Sequence, residues 1–172
     1  MKTLFIGDIV GRKARNFAIE KIKEFKEGKY FDLIIVNVEN SAGGFGVTPE
    51  ICDQFLLNGA DVLTSGNHIW DKKEIISYID KTNKLLRPLN MVEGTPGLGI
   101  TIIDTSFGKI GVANVMTNLF MPKSNPVFEL LNQIKLKFNS NENLCFSLVD
   151  VHGEATSEKL AIGHLLDGHV SA

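Results

Sequence analysis

The chain has 172 residues, a formal net charge of −2 and 44% hydrophobic residues, which suits one ordinary domain with a real core. Its near-neutral balance argues against a binder of nucleic acid or membrane surfaces that works mainly by charge, so stable nucleic-acid binding is not expected. Cys52 and Cys145 are too few and too far apart for a disulfide framework, and both read as reduced, partly buried thiols. No apolar stretch approaches the ~18 residues of a membrane span. The opening segment turns acidic at Asp8, too soon for a signal peptide, so a cytoplasmic protein is the default.

Strand and helix patterns alternate from the start. A strand at 4–7 leads to a helix from Arg12 to Glu27, with Phe17, Ile19, Ile22 and Phe25 on one stripe and Gly28 closing it. A buried strand at 33–38 precedes the turn-rich Ser41 to Gly46. Thr48 and Pro49 read as N-cap and first helical residue of a helix reaching about Asn58-Gly59. A short strand at 61–64 follows, and Asp71 is expected to cap a helix from Lys72 to about Asp80. Residues 85–99 are rich in Pro and Gly and read as a long loop, and 100–104 with 109–114 read as a hairpin. A helix near 126–137, an Asn-rich turn at 139–143, a strand at 144–151 and a helix from Glu154 to Leu166 complete the pattern. Val170-Ser171-Ala172 looks like the opening of a further buried strand, so we expect one α/β domain over 1–172 that is incomplete at its C-terminus.

Four of the apolar runs stop on residues able to bind a metal: Asp8, Glu39-Asn40, Asn67-His68 and, after Asp150, His152. Open α/β sheets gather ligands outside the carboxyl ends of their strands, so these four pieces should meet at one edge. Glu39-Asn40, two polar residues directly after an apolar strand, is hard to dismiss, but the other three have a plainer reading. Asp8 suits a turn or cap, Asn67 a helix cap, His68 the surface, and His152 a core position with a satisfied hydrogen bond. Their joint occurrence favours a site. Alternation along the strand puts Asp150 and His152 on one face, where the carboxylate could orient the imidazole through its other nitrogen. His164 and His169 lie on different helix faces and read as surface residues. The Gly43-Gly44-Phe45-Gly46 run lacks the Lys-Ser/Thr ending of a phosphate loop and reads as a loop near the site.

Mixed Asp, Glu, Asn and His ligation suits Mn, Fe or Zn, and two such ions can clamp a phosphate and activate a hydroxide for attack at phosphorus. A His that is not a ligand can then protonate the leaving oxygen, a role that His68 fits best.

The segments Gly7-Asp8-Ile9-Val10-Gly11, Val38 to Gly46, Thr64 to Asp71 and Asp150 to Lys159, with Leu86-Arg87-Pro88 and Gly94 to Gly97, resemble the YmdB-type bacterial metallophosphoesterases of the calcineurin-like superfamily. The resemblance covers the whole chain. It implies an α/β sandwich of two mixed sheets flanked by helices, lacking its last strands. It also implies a dinuclear site, iron first and manganese second, that hydrolyses cyclic nucleotides, 2′,3′-cyclic and in some members 3′,5′-cyclic. By matched motif Asp8, Glu39 and Asn40 would hold one ion. Glu39, Asn67 and His152 would hold the other, with His68 as proton donor.

Several departures stand out. Members usually continue into a Gly-Thr-His-Thr-His strand whose histidines complete both metal positions. Many also carry Gly-Arg where this chain has Thr117-Asn118, and Gly153 and His169 stand where other residues are common. The alternatives are a catalytically impaired remnant acting through protein contacts and a metal-free nucleotide-binding module; the absent phosphate loop counts against the second. A sheet edge left open at the C-terminus could drive homo-oligomer formation.

Overall fold

The computed structural model describes residues 1–141 and 143–172; residue 142, in the turn expected at 139–143, lies outside the described residues. The elements run β1 (Thr3–Ile6), α1 (Gly11–Glu27), β2 (Leu33–Asn37), α2 (Pro49–Leu57), β3 (Val62–Thr64), α3 (Ile75–Ile79), β4 (Ile100–Thr105), β5 (Gly108–Met116), α4 (Val127–Asn139), β6 (Leu144–His152) and α5 (Thr156–Leu166). They build two three-stranded sheets, β1-β2-β3 and β4-β5-β6. The first is parallel throughout. The second pairs β4 with β5 antiparallel and β5 with β6 parallel. Mixed pairing, expected of both sheets, is therefore confined to the second. The reason is local: α1 and α2 are crossover helices that force parallel returns, whereas only Ser106 and Phe107 separate β4 from β5.

The layers follow from alternation along β2. Ile34 and Val36 face the α1 and α2 side with Ile22, Ile51 and Phe55. Leu33 and Ile35 face the other sheet and meet Val62, Ile110, Val112 and Leu148. With both faces covered, β2 is buried at every position, and each such aliphatic side chain contributes roughly 1.5–3 kcal/mol of burial. On the far side Leu131, Ile134 and Phe138 of α4 and Ile162 and Leu166 of α5 close over Ala113 and Val115.

The start of α2 follows its sequence signature: Pro49 stands at the first position and the Thr48 hydroxyl accepts from the Ile51 N–H at 3.4 Å. The helix expected from Lys72 is shorter and begins at Ile75, with Glu74 at the cap position. Asp71 does not cap it, because its carboxylate is taken by the His68 ring. Cys52 is buried as expected, but Cys145 is exposed, since it lies at the start of β6. Val170 to Ala172 form no strand, yet Ser171 N–H donates to Ser147 O and Val149 N–H donates to Ala172 O, each at 3.0 Å. No helix among the described residues is long and apolar enough to cross a membrane.

Candidate metal centre

Parallel pairing brings the ends of β1, β2 and β3 to one edge, and β6 delivers its own end across the sandwich. The turns there are stitched together: Ile9 N–H donates to Asn37 O at 3.2 Å and Gly11 N–H to Asn40 O at 2.9 Å. Asp8, held beside those two bonds, accepts from Asn40 Nδ2 at 2.7 Å. That commits the amide donor of Asn40 and leaves its Oδ1 buried with no partner.

The second half of the site is deeper. Glu39 is fully buried, and its Oε1 accepts from the His68 backbone N–H at 2.6 Å, which ties the β3 loop to the end of β2. Glu39 Oε2 lies 2.9 Å from His152 Nε2, and Asn67 Oδ1 lies 3.0 Å from the same nitrogen. The Glu39 approach is a close charge contact without the alignment of a full hydrogen bond, so Oε2 is left unsatisfied. Burial opposes charge on His152. The adjacent Glu39, reinforced by Asp150 and Asp8, outweighs it and holds the imidazole above its ordinary range. Gly66 makes this approach feasible: a Cβ there would collide with Glu39 Oε2 and the His152 ring.

His68 sits beside this cluster rather than inside it. Its Nδ1 is 2.7 Å from Asp71 Oδ2, and its ring lies against Phe45 at a centroid distance of 4.7 Å. The Gly43 to Gly46 segment thus serves as a loop that supplies Phe45 to the site.

Asp150 does not orient His152. Its Oδ2 accepts from Thr64 Oγ1 at 2.6 Å and Asn37 Nδ2 at 2.9 Å, because the interior of the sandwich offers better-placed donors. Burial pushes the Asp150 carboxyl above its ordinary range, with those two donors opposing the shift. Asn114 joins the network, accepting from Ser65 N–H and donating to Asp150 O, each at 3.3 Å. Asn37, Thr64 and Asn114 support the site from below and were not among the sequence candidates. Their signal was present, since each is a polar residue inside an otherwise apolar strand.

Thr117 and Asn118 have packing roles. Asn118 Oδ1 accepts from Val127 N–H at 2.9 Å and so starts α4, while its backbone N–H reaches the buried Glu158 carboxylate. Thr117 fills the space above Gly153, where a Cβ would overlap the threonine side chain. His164 and His169 are exposed, as read.

All six candidate residues therefore reach one edge, in two groups: Asp8 with Asn40, and Glu39 with Asn67 and His152, with His68 bonded to the second through its backbone. Acceptors outnumber donors, and two buried acceptor oxygens have no partner. An unpaired buried polar atom calls for a ligand or ion, and an oxygen-rich set with one imidazole suits a divalent cation. No three Asp, Glu, His or Cys side chains converge on one point among the described residues; the amides Asn40 and Asn67 carry part of the donor set.

The YmdB-like protein family model matches residues 4–172. This chain belongs to that family. The YmdB-like match is supported by 40% identity over 172 residues to the 2′,3′-cyclic-nucleotide 2′-phosphodiesterase of Bacillus subtilis, covering all of this chain and 64% of that protein. Among solved structures, a hypothetical protein from Thermus thermophilus superposes with a TM-score of 0.89 at 33% identity, over 99% of this chain and 65% of that one. A Mycoplasma pneumoniae protein described as a novel phosphatase gives 0.86 at 30% identity, over 99% and 61%. The two-sheet sandwich is thus that of the metallophosphoesterases. The chain spans a little under two thirds of the length of these relatives.

Proposed function

We propose that this chain carries the metal-binding and proton-donating residues of a phosphodiesterase that opens 2′,3′-cyclic nucleotides, with 3′,5′-cyclic nucleotides as a wider substrate class. The observation that carries the reading is the pair of buried, partnerless acceptors, Glu39 Oε2 and Asn40 Oδ1, at the edge where both sheets end. The name of the Bacillus relative supplies the substrate class. Asp8 and Asn40 would hold one ion and Asn67 and His152 the other, with Glu39 shared; iron is favoured over manganese. Such ions supply Lewis acidity and an activated water for in-line displacement at phosphorus.

The residues around them have separable tasks. Asn40 is oriented by Asp8, and Asn67 by the His152 ring. His68 has Nδ1 committed to Asp71, which leaves Nε2 to hand a proton to the departing ribose oxygen. When the bond from phosphorus to O2′ breaks, O2′ takes that proton and the nucleoside 3′-phosphate results. The Phe45 ring packs against the imidazole at a centroid distance of 4.7 Å and helps to position it.

The test is turnover of 2′,3′-cyclic AMP by the 172-residue chain with added manganese or iron, alongside its metal content. Two equivalents of metal with formation of 3′-AMP is the expected result. Metal bound below one equivalent without turnover would reject the enzyme and leave a partial site acting through protein contacts.

A further inference from the structure

Beside the proposed metal centre lies a cavity of about 220 Å³ whose walls include Asn67, Trp70, Met91, Val92, Thr95 and Lys123. We propose that it is a base-recognition pocket, which takes the purine or pyrimidine ring of the nucleotide whose phosphate is held at the metal centre. The proposal rests on the phosphodiesterase reading above and deepens it.

Three observations carry the inference. The first is continuity: Asn67 lines this cavity and also places its Oδ1 against His152, so an occupant is directly next to the reacting phosphate. The second is size. Pockets for drug-sized ligands run to roughly 300–1,000 Å³, so this smaller space suits one ring system and not a whole nucleotide. The third is chemistry. An indole and thioether sulfurs are flat or polarisable partners for an aromatic base, and stacking on an aromatic side chain tolerates any base. Lys123 brings donors that have no acidic partner among the described residues, suited to the oxygens or ring nitrogens of a base.

The walls are also fixed before any ligand arrives. Trp70 Nε1–H donates to Met91 Sδ at 3.2 Å. The Arg87 guanidinium donates to Thr95 O at 3.2 Å and Pro96 O at 3.1 Å, holding the long loop in shape. Asn90 clamps Met116, another wall residue, by accepting from its N–H at 2.9 Å and donating to its carbonyl at 2.7 Å. Preorganised walls reduce the ordering cost of binding.

Trp70 is the single tryptophan of the chain and lines this cavity, so tryptophan emission comes from a wall of the pocket. Titration of the chain with adenosine, which cannot react, should quench that emission to saturation. Val92→Phe, made at an exposed wall position, should weaken the quench at least tenfold, about 1.4 kcal/mol, and raise KM for 2′,3′-cyclic AMP with kcat unchanged. Lys123→Ala, at an exposed position, should weaken it several-fold and serves if the first variant fails to fold. No quench in a preparation that turns over 2′,3′-cyclic AMP would overturn the pocket and leave the enzyme reading intact. Wild-type affinity in the folded variants would also overturn it. Saturable quench without turnover would keep the pocket and reject the phosphodiesterase.

Discussion

The two halves of the candidate centre are built differently. Asp8 is exposed and its contact with Asn40 is a single hydrogen bond between two turns. Glu39, fully buried, forms a tight knot with the half-buried Asn67 and His152, closed beneath by Gly66 and supported by the Asn37–Thr64–Asp150 network that joins the two sheets. The open half belongs to one sheet only. The buried half requires both sheets to be docked, so its geometry depends on the folded state as a whole.

This contrast can be broken experimentally. The largest effect is expected for Glu39→Gln, which removes the carboxylate proposed to be shared by the two ions: metal content should collapse and turnover fall at least ~10³-fold, since several kcal/mol of charge stabilisation are lost. Equilibrium dialysis and steady-state kinetics check it. Asn67→Ala or His152→Ala should remove one equivalent of metal and abolish turnover, and full activity in either would reject the assignment. Chemical denaturation should then separate the halves. His152→Ala leaves Glu39 buried and unpaired, at a cost of roughly 3 kcal/mol. Asp8→Ala should lose metal while shifting stability by less than about 0.5 kcal/mol.

His68→Ala belongs to neither half. It should retain both metals and lose about 10²–10⁴ in rate, most of all on poor leaving groups. Loss of metal would make His68 a ligand. Gly66→Ala is the most direct probe of the knot: overpacking against Glu39 and His152 should cost about 1–3 kcal/mol, read as a lower thermal midpoint.

Much of this was legible in the residues. The stripe on α1, the unbroken apolar run of β2 and the Thr48-Pro49 signature each specify local structure through local chemistry. The candidate ligands were legible because strand ends in an α/β fold share an edge. What was not legible depends on partners far away in the chain. Asp150 and His152 do lie on one strand at alternating positions, but Asp150 finds Asn37 and Thr64, 113 and 86 residues distant, on the opposite sheet. Asp71 resembles a helix cap in isolation and becomes a histidine partner only once the β3 loop is folded. The parallel character of the first sheet was implicit in its crossover helices, and the expectation of mixing in both sheets came from the family resemblance.

Gly153 and Thr117 carry a consequence for how such a sequence changes over time. The threonine side chain occupies the volume that any side chain at 153 would need, and its buried hydroxyl has no partner. The hydroxyl has little to recommend it except that it fills space left by the glycine. Adding a methyl at 153 alone would be harmful, whereas the same methyl with glycine at 117 would have the space that the threonine now fills. The two positions are therefore coupled, and the effect of a change at one depends on the residue at the other.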